Sequence, residues 1–282
     1  MSEPPTQRSV LLTGCSSGIG HHAAHALKAR GWRVFATCRR SEDAERLALE
    51  GLESWALDLA DPASIAAGTD RALERTGGTL DALFNNGAYA IPGAVEDLPT
   101  EALRAIFETN FFGWHETTRR VLKAMRAQGH GRIVQNSSVL GFVGLRMRGS
   151  YCATKFALEG YTDVLRLELK GSDIHVALLE PGPIRTRFRQ NSQWHYERWI
   201  DRDASHWARF YRETVEPRLY APESDTRDPG ELDCDATTAR VIHALESPRP
   251  RPHYPVTTPT WAMAAMKRVL PARAFDAFAG RI

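Results

Sequence analysis

A single α/β domain, a doubly wound parallel sheet with helices on both faces, is the fold class this sequence predicts, and three observations predict it. Short apolar, β-branched runs alternate with longer stretches of helical period through residues 8–180. A glycine cluster separates the first such run from the first helical stretch. The 282 residues, 43% hydrophobic and 25% charged, suffice for one sizeable core and contain no internal repeat or low-complexity linker.

Strands are expected near 8–13, 32–37, 54–58, 80–85, 131–138 and 174–180, where branched and aromatic residues cluster between turn formers. Between them, Gly18–Ala29 repeats apolar residues at helical spacing and stops at Gly31. Pro62–Arg75 follows an Asp61 cap, and Thr100 is expected to cap a long helix to about Gln128. Beyond Pro181 the character changes. Residues 181–232 hold Phe188, Trp194, Tyr196, Trp199, Trp207, Phe210, Tyr211 and Tyr220 among many charges and end in APESDTRDPG, which reads as a helical excursion from the sheet. In 233–282, Cys234–Glu246 reads as a helix, Tyr254–Thr257 as a short strand, and Trp261–Gly280 as a tail helix interrupted at Pro271.

Composition removes several classes of partner. The 36 basic and 34 acidic side chains are interspersed and sum to +2, so no footprint for nucleic acid exists. No stretch approaches the ~20 apolar residues of a membrane span, and MSEPPTQRSV has no leader-like apolar run. Cys15, Cys38, Cys152 and Cys234 lie far apart without CxxC spacing, which fits a reducing compartment and predicts a cytoplasmic protein.

VLLTGCSSGIGHHAAHAL places Gly14, Gly18 and Gly20 between a buried strand and a helix, where bare backbone can approach a pyrophosphate at the positive helix end. Ser16, Ser17 and Ile19 belong to the same turn; its other reading is a tight strand–helix connection. About 20 residues on, where a carboxylate would receive the ribose hydroxyls of NAD, the chain has Cys38 followed by Arg39 and Arg40. Guanidinium groups suit a 2′-phosphate that a carboxylate would repel, so the cofactor expected is NADP(H). Asp58, followed by Leu59, is expected at the end of the third strand to accept from the adenine amino group, unless it is only a helix cap.

Tyr151 and Lys155 lie four apart in a helical segment with Ser150 as its cap, so both side chains share a face. A phenol of ordinary pKa near 10 needs about 4 kcal/mol of stabilisation of its anion to work near neutrality, and an ammonium beside it supplies part. Thirteen residues before Tyr151, GRIVQNSS ends a strand in Ser137 and Ser138, and alternation lets only one hydroxyl face a site above the sheet edge.

Through TGCSSGIG at 13–20, NN at 85–86, SS at 137–138, YCATK at 151–155 and PGPIRT at 181–186, the sequence resembles the short-chain dehydrogenase/reductase family, and with it a Rossmann-type fold. The likeness is greatest to the retinol dehydrogenase and 17β-hydroxysteroid dehydrogenase branch, including bacterial NADP-dependent aldehyde reductases with a similar YPVT and KRxLP tail. The resemblance implies Tyr151 as general acid/base, Lys155 as its pKa-lowering partner and ribose binder, Ser138 as donor to the carbonyl oxygen, and Asn110 as holder of a relay water. From local sequence Asn110 reads equally as a buried amide satisfied by backbone. Asn86 and Gly87 would lie beside the cofactor, as would Asn85, and Pro181, Gly182, Ile184 and Thr186 would wrap its nicotinamide end. Gly87 and Ala88 stand in the reverse of the family's NNAG order, which puts a methyl group where the cofactor approaches.

The apolar loop Val139–Leu145, with Tyr89, Ile91, Phe188 and the aromatic excursion, predicts a pocket for a hydrophobic carbonyl or alcohol. Arg185, Arg187 and Arg189 are either anion-attracting or simply surface charges. Carbonyl reduction is the leading reading; a hydroxysteroid or retinol dehydrogenase is the alternative within enzymes, and a non-catalytic NADP(H)-sensing module the alternative outside them. The resemblance also implies a homodimer or homotetramer built on helices around 101–128 and 151–170. His21 and His25 lie one turn apart, but no carboxylate or thiol at suitable sequence spacing completes a site, so no metal is expected. Met263, Met266, Val269, Leu270, Phe275 and Phe278 make the tail either an interfacial helix or one docked on the domain.

Overall fold

The computed structural model describes residues 7–222 and 228–280. Seven parallel strands run in the order β3-β2-β1-β4-β5-β6-β7. They are β1 (Ser9–Leu12), β2 (Arg33–Cys38), β3 (Glu53–Ala56), β4 (Ala82–Asn85), β5 (His130–Asn136), β6 (Asp173–Glu180) and β7 (His253–Pro255). Chain order reverses between β1 and β4, and at such a point the loops leaving neighbouring strands diverge and open a crevice.

Helices α1 (Gly18–Ala29), α2 (Ser41–Leu49), α3 (Pro62–Arg75), α4 (Thr100–Phe107), α5 (Gly113–Gln128) and α6 (Gly149–Glu168) make the crossovers. One layer packs α1 and α10 (Cys234–Glu246) on the sheet through Ala23, Leu27, Val241 and Leu245; the other packs α3, α5 and α6 through Ala72, Val121, Met125 and Leu165. Strands buried on both faces account for the continuous apolar runs.

Most sequence expectations hold within two residues, with α2 added. Three local details differ. Thr100 and Ser150 do not cap their helices: Pro99 and Arg148 precede those helices, and the Ser150 hydroxyl donates to Ile91 O at 2.9 Å. The helix expected from Thr100 to Gln128 is interrupted by a π turn, Glu108–Phe112, that contains Asn110. Strand β3 ends at Ala56, two residues before Asp58.

The excursion forms α7 (Phe188–Trp199), a short α8 (Ala208–Phe210), a π turn (Tyr211–Val215) and α9 (Glu216–Tyr220). Tyr196 and Tyr211 are buried with Ile91, Ile106 and Tyr151. Residues 223–227 of APESDTRDPG lie outside the described residues. The tail, α11 (Thr258–Val269) and α12 (Ala272–Ala279), docks on the domain: Met263 and Phe275 bury against Val143, with Val139, Phe142 and Leu145 alongside. Much of the loop expected to line a pocket is therefore covered by the tail, while Leu140 remains with Tyr89, Tyr151 and Phe188.

Candidate active site

The crevice is floored by glycines because two backbones meet there. Gly14, at φ +68°, lies so close to Gly87 that a β-carbon on Gly14 would overlap Gly87 Cα. A β-carbon on Gly20 would come 2.6 Å from Asn86 Nδ2. Asn86 ties the two turns together, donating to Thr13 O at 3.1 Å and Gly14 O at 3.0 Å and accepting from Asn136 at 2.8 Å. The Thr13 hydroxyl accepts from the Asn86 and Gly87 amides.

Gly87 is thus the position that needs no side chain: a β-carbon there would meet Leu59 Cδ1 at 2.8 Å and Gly14 N at 3.3 Å. Ala88 packs its methyl on the cluster of Leu57, Leu59, Ile65 and Trp114. The reversed Gly–Ala order accordingly keeps the close approach of the two turns. Asn85, in contrast, points into the core, donating to Thr118 and Gln135, both at 2.9 Å, because strand alternation sends adjacent side chains to opposite faces.

At the N-terminus of α1, Ser17 occupies the cap with extended backbone and no side-chain hydrogen bond, which leaves first-turn amides to an anionic guest. Thr186 Cγ2 lies 3.0 Å from where a Gly18 β-carbon would be, so the segment after β6 closes on the glycine turn. Pro181 O accepts from Val139 N at 2.9 Å, and a β-carbon on Gly182 would fall 2.7 Å from Thr260 Oγ1. Ile184, which bridges to Leu232, packs on the α1 side of the core. These residues fit a dinucleotide: a side-chain-free cradle, free helix amides and a closing strap.

Past the carboxyl end of β2 the two arginines separate. Arg40 is bound to Asp43 at 2.8 Å, whereas Arg39 is exposed and makes no hydrogen bond or ion pair among the described residues. Cys38 is buried, its thiol on Arg40 O. Asp58 uses one carboxylate oxygen to accept from Ala60 N at 2.9 Å.

Tyr151, Lys155 and Ser138 converge where β5 and β6 end. The Lys155 ammonium donates to Asn136 O at 2.6 Å and stands 4.1 Å from the Trp114 ring and 5.5 Å from the Tyr151 ring. The Ser138 hydroxyl donates to Pro181 O at 3.5 Å and accepts from Leu140 N at 3.1 Å, and it acts to lower the pKa of the Tyr151 phenol. Ser137 turns away and donates to Glu159. The chain enters α6 through Met147, whose left-handed φ of 60° is strained for a side chain and is held by Gly93 N at 3.0 Å.

Asn110 is wholly buried and clasps the backbone of Tyr89, accepting from its N at 3.1 Å and donating to its O at 2.8 Å, with Thr154 Oγ1 at 3.3 Å. Its side chain therefore has the backbone-satisfied form, and the π turn ties the loop after β4 to α6.

Burial dominates the electrostatics. It raises the Tyr151 phenol above its ordinary range, against the lowering effect of Ser138, and lowers Lys155 to about 7, against the raising effect of the Glu159 charge. Desolvation disfavours the charged form of both groups, the phenolate and the ammonium. Glu159 is itself pushed up to about 7 by burial and by Glu180.

Sequence reasoning missed two features. His195 of α7 stacks on Tyr89 with ring centroids 3.7 Å apart; its Nδ1 is buried without a hydrogen-bond partner among the described residues, and burial with the charges of Arg39 and Arg198 lowers it to about 4. Phe188, at the other end of α7, meets the Tyr151 ring at 5.4 Å, so this helix crosses the crevice. Second, Glu50 completes the pair His21 and His25, contrary to the expectation that no carboxylate does.

Comparison with known proteins adds independent findings. Residues 8–197 match the family described as short chain dehydrogenase. The oxidoreductase YbbO of Escherichia coli is 39% identical over 270 residues, 96% of this chain and 93% of that protein. Human 17-beta-hydroxysteroid dehydrogenase type 1 is 33% identical, over 87% of this chain and 76% of its own. A short-chain dehydrogenase from Streptomyces avermitilis superposes with a TM-score of 0.78 at 26% identity, covering 97% of this chain and 96% of its own.

Proposed function

Because this chain belongs to the short-chain dehydrogenase family and is an oxidoreductase acting between CH–OH and C=O, we propose that it is an NADP(H)-dependent reductase of hydrophobic aldehydes or ketones. The observation that carries the reading is the buried convergence of the Tyr151, Ser138 and Lys155 side chains at the carboxyl ends of parallel strands.

Gly14, Ser16, Ser17, Gly18, Ile19 and Gly20 hold the diphosphate, Arg39 takes the 2′-phosphate beside Arg40, and Asp58, Leu59, Asn86 and Gly87 receive the adenosine. Pro181, Gly182, Ile184 and Thr186 strap the nicotinamide end, with Lys155 on its ribose. When bound, the dinucleotide supplies a hydride. Ser138 and Tyr151 donate hydrogen bonds to the substrate oxygen and stabilise the charge that grows on it. Tyr151 then gives up its phenolic proton, and Lys155 stabilises the phenolate left behind. Burial keeps the phenol protonated, as a general acid must be before it acts, and the NADPH/NADP ratio sets the direction of the reaction. Asn110 holds Tyr89 and α6 in place for the proton relay.

Tyr89, Leu140 and Phe188, partly exposed over the buried cluster that holds Tyr151, Ile91 and Tyr211, give the substrate side its apolar lining. A hydroxysteroid substrate is the second reading, on the likeness to 17-beta-hydroxysteroid dehydrogenase type 1. Exposed Phe112, Phe156, Val164 and Leu167, on the π turn and α6, support assembly as a homodimer or homotetramer through these helices. Four free cysteines support a reducing, cytoplasmic location.

Purified protein should oxidise NADPH in the presence of aliphatic, aromatic or steroid carbonyls, with NADH a poor substitute. Binding of NADPH without turnover of any carbonyl would favour the sensor reading. Arg39→Ala should weaken NADPH by about 10- to 100-fold and leave NADH unchanged; equal loss of both would remove the 2′-phosphate assignment.

A further inference from the structure

A site outside the catalytic crevice emerges on the outer face of α1. His21 and His25 are one helical turn apart, so their imidazoles project side by side, with ring centroids 4.6 Å apart. Glu50, just past the end of α2, brings one carboxylate oxygen to both: Oε2 lies 2.6 Å from His21 Nε2 and 2.8 Å from His25 Nε2. The three candidate donor atoms all lie within 4.8 Å of one another. Each side chain keeps roughly a third of its surface open, 34% and 37% for the histidines and 29% for Glu50, so an ion and a water ligand can enter.

We propose that His21, His25 and Glu50 form a binding site for a late first-row divalent cation of the Zn²⁺ type. Two imidazole nitrogens one turn apart on a helix and one carboxylate from elsewhere are a sufficient protein ligand set for tetrahedral zinc, with water as the fourth ligand. Bonds of about 2 Å at tetrahedral angles place donor atoms about 3.3 Å apart, within reach of small rotations of the His21 and His25 side chains. Imidazole selects Zn²⁺, Cu²⁺ and Ni²⁺ over Mg²⁺ and Ca²⁺, which prefer oxygen donors.

The surroundings hold the carboxylate in place. Arg46 donates to Glu50 Oε1 at 2.7 Å, leaving Oε2 to face the histidines, and also to Ser16 O in the glycine turn at 2.6 Å. Lys28 is close by, on Gly51 O. These two cations act against a metal ion, so the site should bind more weakly than a buried structural zinc site. His22, between the ligands in sequence, faces Thr238 at 2.8 Å and takes no part.

The test is a titration of untagged, chelator-stripped protein with zinc chloride against a chromogenic zinc indicator, together with thermal melting with and without zinc. One equivalent should bind, raise the melting temperature, and resist millimolar Mg²⁺. His25→Ala and Glu50→Gln should each weaken zinc by at least about tenfold, while His22→Ala stays within about twofold. Melting of the metal-free variants shows that each is folded. The assignment is overturned if no zinc binds, if Mg²⁺ competes equally, or if a folded His21→Ala/His25→Ala double variant keeps the equivalent. That last result would place the metal elsewhere, as at the group Glu159, Glu180 and His253.

Discussion

The two walls of the crevice are built by different means. On the β1–β4 side, glycine backbones lie against each other and Asn86 and Thr13 satisfy the turn amides and carbonyls, so almost any added atom collides. On the α7 side, contact is made by rings: Phe188 on Tyr151 and His195 on Tyr89. Helix α7 also carries buried polar atoms without hydrogen-bond partners among the described residues, at Gln190 Oε1, His195 Nδ1 and Trp199 Nε1. Backbone-built walls admit one ligand shape, whereas side-chain walls are re-cut by substitution. Under the proposed function the dinucleotide belongs to the first wall and the carbonyl substrate to the second.

The comparison can be broken at its centre first. Tyr151→Phe should cut turnover by about 10²- to 10⁴-fold while NADPH affinity, read by fluorescence, stays nearly unchanged; substantial residual rate would remove the general acid. Next, Gly14→Ala puts a β-carbon into Gly87 at a positive φ. A melting point lowered by at least about 2–4 °C and weakened NADPH binding are the expected outcome, and tolerance would show that the turns can part. Phe188→Ala on the facing wall should instead raise KM for hydrophobic carbonyls by about tenfold with NADPH affinity intact. An equal loss of cofactor affinity would mean that the walls are not separable.

The smallest effect concerns pH. Glu159 is raised to about 7, well above a free carboxylate near 4.3, so between these values the folded protein binds a proton that the unfolded chain does not. This contribution to stability is present at low pH and is lost as pH rises through 7. Glu159→Gln lacks it, so the melting temperature of the variant relative to wild type should be more favourable near pH 8 than near pH 5.5. An unchanged difference would show that Glu159 does not titrate there.

Much of this was legible in the chain. Periodicity located the strands, and the Tyr151–Lys155 spacing already put both side chains on one helix face. The bends at Asn110 and Met147 were not legible, since a π turn and a left-handed residue arise from distant partners, Tyr89 and Gly93. Nor was the difference between Arg40, held by Asp43, and Arg39, exposed and without an ion pair among the described residues.

By itself, then, the sequence determined what local geometry dictates: strand and helix order, the glycine turn, and the tyrosine–lysine helix face. Only the tertiary structure decided which neighbours burial would impose. It made the Tyr151 phenol less acidic and the Lys155 ammonium more so, carried Glu50 to two histidines about 25 residues away in sequence, and laid α7 across the crevice. Desolvation and long-range contact are properties of what surrounds a residue in space, and no spacing along the chain encodes them.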